Sequence, residues 1–490
     1  MLHVEYHGYV GIEYWEYLLS LVYLFILYLY FARVKNVEIK RNPEYVYFIW
    51  GLYAKVLGGV FFSLIYFYYY KGGDTTSYFY SALSMSKLAK LDPSGYFTVL
   101  FGDNNMANRK FFNMDTGYPY GYVYFDARTF FVIRCISPLV IFSLDSYLIT
   151  TVILGSISYI GIWKAYRTFV GYFPQISGKL AIAFLFMPSC IFWGSAILKD
   201  TFTLSALCFY IHAVDELFFK KRSYFGNLFV LAVSSFVIIA IKPYIFMVIF
   251  PAILVWVSYF RIMNIKNSLV RLVLLPALVI FLISASVFTL QRLENELGKF
   301  SLENAISTIE VSQADLKRSE QYGENYFDIG EFDGSWTGLL SKFPVAITAG
   351  FFRPFIWESR SVVMALGGLE NLWLLGLAIF TLFQAGPRFL LRCVTSIPIV
   401  LMAFMFAILF SFLVGVTTPN FGALVRFKIP LIPLFVTSLY VVRYLSTISK
   451  RTKNSGRRFV FSDYSMGTSH YLQDSGQGKE GTKAKPRSAR

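Results

Sequence analysis

The chain has 490 residues, of which 56% are hydrophobic and only 15% are charged, and its mean hydropathy is +0.54. Soluble domains are about one quarter charged, so these proportions exclude a water-soluble fold and indicate a polytopic membrane protein. The net charge of +16 does not indicate nucleic-acid binding, because +7 of it lies in the tail 447–490 and most of the rest lies in short loops between apolar segments. Such basic clusters are typical of contact with anionic membrane lipids.

Eleven apolar stretches of about 17 residues or more predict membrane-spanning helices, since that length of helix crosses the hydrocarbon core. The predicted class is therefore an all-α polytopic membrane protein with about eleven spans. The predicted spans are 16–32, 45–69, 146–163, 179–197, 201–218, 225–241, 243–260, 269–289, 362–383, 395–416 and 429–446.

Clusters of Lys and Arg alternate along the chain in a way that predicts one orientation. They include Arg33 to Arg41, Lys220 to Arg222 and the C-terminal tail, and all of them face the cytoplasm if the N-terminus lies outside. Positive charge in short loops favours the cytoplasmic side. The expected topology has an outer N-terminus, a cytoplasmic C-terminus and two long extracytoplasmic loops, 71–145 and 290–361.

Two regions of this map need separate interpretation. The apolar run 129–144 contains Arg134 and Pro138, and if it spanned, every later basic loop would move outside. It is therefore expected to be interfacial or re-entrant. The sequence predicts a transmembrane domain over 1–446 and a basic, disordered cytoplasmic tail over 447–490.

Two polar clusters at outer ends of predicted spans are candidates for chemistry. The first is Gly72-Gly73-Asp74-Thr75-Thr76-Ser77-Tyr78, in which the glycines allow a tight turn and present Asp74. The alternative is that Asp74 or Thr75 caps the next helix. The second is Lys199-Asp200, held close to the interface, for which the alternative is a snorkelling lysine and a helix-capping aspartate.

Two further clusters contain basic residues on the side where positive charge is scarce. One is Arg353 to Arg360, with Trp357 and Glu358 inside it, and its arginines suit phosphate while the indole suits a sugar ring or an isoprenoid tail. Its alternative is an interfacial anchor with internal ion pairing. The other group comprises Lys242, Arg426 and Lys428, with anionic-lipid binding or pairing with Glu358 as the alternative.

At these residues the chain resembles the polytopic glycosyltransferases of the GT-C fold and the bacterial polysaccharide polymerases, including the O-antigen and EpsG-type polymerases. GGDTTSYFYSA resembles their first-loop pattern, MPSCIFWGSAILKD a later segment with a proline and an aspartate, and NFGALVRFKIPLIP a closing segment. The chain departs from the pattern because Asp74 follows the second span and Thr75 follows it in place of a second acid. The resemblance implies a GT-C-like fold, a lipid-linked donor and, in some members, a divalent metal.

The resemblance implies catalytic roles for Asp74 and Asp200. We expect Lys199, Lys242, Arg353, Trp357, Glu358, Arg360, Arg426 and Lys428 to bind substrate. The expected function is glycosyl transfer or polysaccharide polymerisation in the bacterial inner membrane. The expected partners are a polyprenyl-phosphate-linked sugar donor, a glycan or lipid acceptor and membrane lipids, and nucleic acid is not expected to bind. One rival is a transporter or flippase of lipid-linked oligosaccharide, which should show pseudo-symmetric halves and broken mid-membrane helices, and the sequence indicates neither. The other is a noncatalytic envelope assembly protein.

Overall fold

A computed structural model describes most of the chain up to the tail. The described residues are 6–7, 9–263, 325–328, 330, 338, 341–456 and 458–464. The predicted span 269–289, most of the outer loop 290–361 and most of the tail lie outside them.

Within the described residues the chain is almost entirely helical. One short antiparallel hairpin pairs β1 (Tyr6–His7) with β2 (Val10–Gly11). The helices are α1 Tyr14–Glu38, α2 Phe48–Leu64, α3 Asp74–Leu91, α4 Pro93–Phe101, α5 Met106–Arg109, α6 Gly121–Tyr124, α7 Ala127–Phe142, α8 Tyr147–Tyr172, α9 Ser177–Leu185, α10 Pro188–Trp193, α11 Lys199–Val214, α12 Tyr224–Ile241, α13 Pro243–Met263, α14 Phe343–Phe352, α15 Val362–Ala385, α16 Pro387–Ser396, α17 Pro398–Thr417, α18 Phe421–Phe427 and α19 Ile432–Asn454.

Nine helices among the described residues are long and apolar enough to cross a membrane. Two of them include the flanking turns, so that the second runs over Pro43–Tyr69 and the fourth over Lys199–Phe219. These nine helices coincide with nine of the predicted spans. The prediction of an all-α polytopic membrane protein is confirmed.

The predicted span 179–197 is not one continuous helix. It consists of α9 and α10, and the chain is extended at Met187 (φ −68°, ψ 121°) between them. The physical reason is Pro188, which disfavours helical backbone at the residue before it and lacks an amide N–H. The segment still passes from one end of the bundle to the other, because Ser177 lies against the end of α8 and Asp200 begins α11.

The basic loops gather at one end of the bundle, which we call the basic end. Arg167 on α8 pairs with Glu44 at 3.3 Å, and Tyr172 on α8 donates to Asp215 at 2.8 Å, so three inter-helix turns meet there. Lys450 on α19 donates to the carbonyl of Gln384 on α15 at 2.8 Å, and α19 also packs against the turn Pro174–Ile176 that follows α8. These basic segments, within the described residues, therefore lie at one end of the molecule.

The loop 71–145 folds into helices α3 to α7 around a second apolar core at the other end. Within it the run 129–144 forms α7, a helix of 16 residues that contains Pro138 and is not among the candidate spans. Arg134 donates from Nε to the carbonyl of Val99 at 3.1 Å, and its guanidinium also reaches Gly102 at the end of α4. This packing gives Arg134 a helix-capping partner; an interfacial position for α7 stays a prediction.

Candidate functional site

Asp74 begins α3 directly after a glycine turn. Gly72 and Gly73 have φ values of 137° and 134°, which only glycine adopts readily, and a Cβ at Gly73 would lie 2.8 Å from the ring of Tyr66. Gly73 is the capping residue, and neither Asp74 nor Thr75 makes a side-chain cap there, since the Thr75 hydroxyl bonds Tyr147 at 2.9 Å. The capping alternative is therefore not what holds Asp74 in place.

Asp200 lies in the first turn of α11 and is buried, with 1% of its side chain exposed. It makes no cap for its own helix. Its Oδ1 accepts a hydrogen bond from the ammonium of Lys242, which stands between α12 and α13. A buried carboxylate needs such a partner, because desolvation penalises an isolated charge.

Arg426 connects the two aspartates. It projects from α18, whose start is capped by Asn420 accepting from the Ala423 amide at 3.1 Å. Its Nε donates to Asp200 Oδ2 at 2.6 Å and its Nη1 donates to Asp74 Oδ2 at 2.6 Å. Burial opposes the charge of Arg426, but the two carboxylates raise its pKa well above the usual value. We call Asp74, Asp200, Lys242 and Arg426 the Arg426 cluster.

Exposure separates the members of the Arg426 cluster. The side chain of Asp74 is 41% exposed and that of Arg426 is 16% exposed, whereas Lys242 and Asp200 are buried. Burial lowers the pKa of Lys242, and Asp200 opposes that shift. Asp74 is therefore the carboxylate that a ligand can reach, and Asp200, itself paired with Lys242, holds Arg426 from the buried side.

A second ion pair lies beside the Arg426 cluster. Lys199 donates to Asp126 at 3.0 Å, and Asp126 caps α7. Burial opposes ionisation of Asp126, but hydrogen bonding by Thr129 and the charge of Lys199 bring its pKa below the ordinary value. The sequence argument missed Asp126, although an Asp directly before an apolar run is a recognisable helix-start signal.

Two tyrosines also lie at the cluster: the sequence argument missed Tyr66, whereas Tyr78 ends the candidate segment that begins at Gly72. Tyr66 stacks on Phe62 with ring centroids 4.3 Å apart, and it feels the charges of Arg426 and Asp74. Tyr78 lies four residues after Asp74 and so on the same face of α3. Burial first, and then Asp74, raise the pKa of Tyr78 far above its ordinary value, so its hydroxyl is a proton donor at neutral pH.

Lys428 does not join the Arg426 cluster, although it is only two residues away. Its ammonium donates to the carbonyls of Phe351 and Arg353, both at 3.0 Å, and to the side-chain oxygen of Asn371. Three acceptors take all three donors of a lysine. Burial lowers the pKa of Lys428 to about 7, against the effect of Glu370. Lys428 therefore caps the C-terminal end of α14.

The predicted cluster at Arg353 to Arg360 is also separate. Arg353 faces Glu358 at 3.5 Å and lies 5.1 Å from the Phe327 ring centroid. Trp357 is 72% exposed and stacks on Phe355 at 4.8 Å, while the backbone amide of Arg360 meets the sulfur of Met364 at 3.5 Å. These contacts match the internal ion pairing of the alternative interpretation, and substrate binding here stays a prediction.

The described residues do not fit a divalent cation. They contain no group of three or more His, Cys, Asp or Glu that could hold a metal ion. Both aspartates of the Arg426 cluster already accept hydrogen bonds from cationic side chains. The metal that the resemblance allows therefore has no evident ligand set in this part of the chain.

Comparisons with protein families, with curated proteins and with solved structures found no match to this chain.

Proposed function

We propose that the protein is a membrane glycosyltransferase or polysaccharide polymerase that uses a polyprenyl-phosphate-linked sugar at the outer face of the bacterial inner membrane. The observation that carries the proposal is the bridging of Asp74 and Asp200 by Arg426, with Asp74 open to a ligand. In finer detail we propose a GT-C-like arrangement of about eleven spans. The acceptor is a glycan or a lipid.

The sidedness of the proposal is supported by the distribution of charge. The basic end gathers the loops that favour the cytoplasm. The Arg426 cluster lies at the opposite end, beneath the helices of the loop 71–145. An N-terminus outside and a C-terminus in the cytoplasm follow if the basic end faces the cytoplasm.

The proposed reaction at this site is a nucleophilic substitution at the anomeric carbon of the donor sugar. A hydroxyl oxygen of the acceptor forms the new bond to that carbon, the bond from the carbon to the phosphate oxygen breaks, and the hydroxyl proton passes to Asp74 as general base. The leaving lipid phosphate takes up the electron pair and gains negative charge. Arg426 has five N–H groups and uses two on the aspartates, so it can also stabilise that charge.

Asp200 has a different part in this proposal from the one that the resemblance implies. It is too buried to reach an acceptor hydroxyl, and both of its oxygens accept from cations. It orients Arg426 and neutralises Lys242. Asp200 is thus a positioning residue and Asp74 the catalytic one.

The test measures glycan output from cells that lack the native gene and carry variants expressed at equal levels. Asp74→Asn keeps the shape of the side chain but removes the base, so output should fall by about 100-fold or more. Arg426→Lys should also impair it strongly, because the planar fork that reaches both aspartates is lost.

Matched controls separate this effect from general damage. Asp115→Asn alters an exposed aspartate in the same loop region, and Arg392→Lys alters an exposed arginine at the basic end. Both should leave output within about twofold of the native protein. Normal output from Asp74→Asn would overturn the proposal, and with lipid-linked glycan still present it would favour the noncatalytic assembly role.

A transporter of lipid-linked oligosaccharide is the second candidate, because the segment 177–198 is a broken helix inside the bundle. Broken helices form substrate and ion sites in many transporters. The purified protein in vesicles would decide between the two. Movement of a fluorescent polyprenyl-linked sugar across the bilayer, with no new glycosidic bond, would favour transport over transfer.

A further inference from the structure

Two charged residues inside candidate spans take no part in the proposed reaction. Lys55 lies within α2 and is 3% exposed, and Glu370 lies within α15 and is 7% exposed. Within the described residues neither forms a direct ion pair, although Glu370 lies near enough to Lys428 to act on its charge. Ionisable side chains in membrane segments are costly and are retained where they have a specific partner, so the partner of each needs to be identified.

Glu370 holds the beginning of α10. The backbone amide of Ser189 donates to Glu370 Oε2 at 2.7 Å, and the Ser189 hydroxyl donates to Oε1 at 2.6 Å. The first amides of a helix have no acceptor within the helix, and a negative charge is favourable at that end. Because α10 starts at Pro188 in the interior, water cannot easily serve in place of Glu370.

Lys55 holds the other end of α10. Its ammonium donates to the carbonyl of Gly194, the residue that follows the helix. The last carbonyls of a helix lack donors, and a positive charge is favourable there. Space at this end is small: a Cβ on Gly194 would lie 2.6 Å from the Cys190 carbonyl and 3.2 Å from the Lys55 nitrogen.

The helix that these two charges hold leads directly to the Arg426 cluster. After Trp193 the chain runs through 194–198 and then begins α11, with Asp200 in its first turn. A Cβ on Gly59 of α2 would lie 2.7 Å from the Ser195 carbonyl, so α2 and this connection are in backbone contact. The position of α10 therefore sets where the connection to Asp200 starts.

We propose that Lys55 and Glu370 are positioning residues that clamp α10 by its two ends and thereby hold Asp200 beside Arg426. Lys55 and Glu370 occupy the two ends of α10, which in a transporter would be open for a ligand to bind. A helix of six residues is about 9 Å long, so the two side chains hold opposite ends of α10 without contacting each other. The proposal rests on the proposed function only in taking Asp200 as part of the site.

The first test is a double-mutant cycle on the purified full chain in detergent, with unfolding followed by titration with sodium dodecyl sulfate. Lys55→Met and Glu370→Gln should each lower the ratio of folded to unfolded protein by about tenfold or more, because each removes a charged hydrogen-bond partner from a buried backbone group. In the double variant, adding the second change should lower the ratio of folded to unfolded protein at least about fivefold less than the same change does on its own, because α10 is already released. Lys55→Met combined with Lys90→Met, at an exposed residue of α3, is the matched control and should show independent effects.

The second test asks whether release of α10 moves the start of α11. Cysteines replace Lys199 and Asp126 in a chain whose four native cysteines are serine, and a short bismaleimide links them. Lys55→Met should lower the linked fraction, whereas the exposed control Lys90→Met should leave it unchanged. Where Lys55→Met does not fold, the same comparison is made between Glu370→Gln and Lys90→Met.

Independent losses in the cycle would overturn the shared clamp. Unchanged linking in both neutralising variants would overturn its connection to Asp200. Neither measurement uses a sugar donor, so a failure here is distinct from a failure of the proposed glycosyl transfer.

Discussion

Replacement of Asp200 by asparagine tests the electrostatics of the Arg426 cluster most directly. Asp200 is 1% exposed and accepts from both Lys242 and Arg426. Removing one partner of a buried ion pair costs about 3–5 kcal/mol, because it leaves a buried charge uncompensated. Arg426 keeps Asp74, whereas Lys242 has no other acidic partner among the described residues, so most of that cost should come from Lys242.

This reasoning predicts the behaviour of a second change. Asp200→Asn should lower the free energy of unfolding by about 3–5 kcal/mol. Adding Lys242→Met removes the uncompensated cation, so the double variant should be more stable than Asp200→Asn alone. The assay is sodium dodecyl sulfate titration of the purified protein, followed by circular dichroism.

Asp126→Asn is the matched control, since Asp126 also pairs with a lysine but is 44% exposed. An exposed pair contributes at most about 1 kcal/mol. Equal losses for Asp126→Asn and Asp200→Asn would refute the burial argument. A further loss on adding Lys242→Met to Asp200→Asn would refute the assignment of the cost to Lys242.

Three other predictions follow from the fold and the site. A single cysteine at Asn105 should react with an impermeant thiol reagent added outside the cell, whereas one at Ser223 should not. Labelling of Ser223 from outside would invert the proposed topology. Ser312, also expected at the outer face, is not among the described residues. Gly59→Ala should destabilise the protein by about 1–3 kcal/mol in unfolding assays, because its Cβ would lie 2.7 Å from a backbone carbonyl. Gly376→Ala is the control and should be neutral or slightly stabilising, because its Cβ would meet nothing within 4 Å. Arg353→Lys should lower glycan output less than Arg426→Lys, because Arg353 pairs with Glu358 and not with Asp74, the proposed catalytic residue. An equal or larger effect would place Arg353 in the site.

The sequence alone determined which parts of the chain can cross a membrane. Apolar length predicts a span without knowledge of its neighbours, because the bilayer imposes the same requirement on every helix. The positions of nine helices, the glycine turn before Asp74 and the grouping of the basic loops could all be predicted in this way. Local chemistry also indicated Asp74, Asp200, Lys242 and Arg426 as candidates, but not how they pair.

Only the tertiary structure decided those pairings. Arg426 and Asp74 are 352 positions apart, and no local pattern links them. Arg426 and Lys428 carry the same charge two positions apart, yet side chains so spaced on helical backbone point in different directions, and one reaches the aspartates while the other caps α14. The roles of Lys55 and Glu370 depend on α10, because each side chain binds one end of this helix, and tertiary packing places the helix between them. A buried charge is stable where its partner is, and the fold sets where that partner lies.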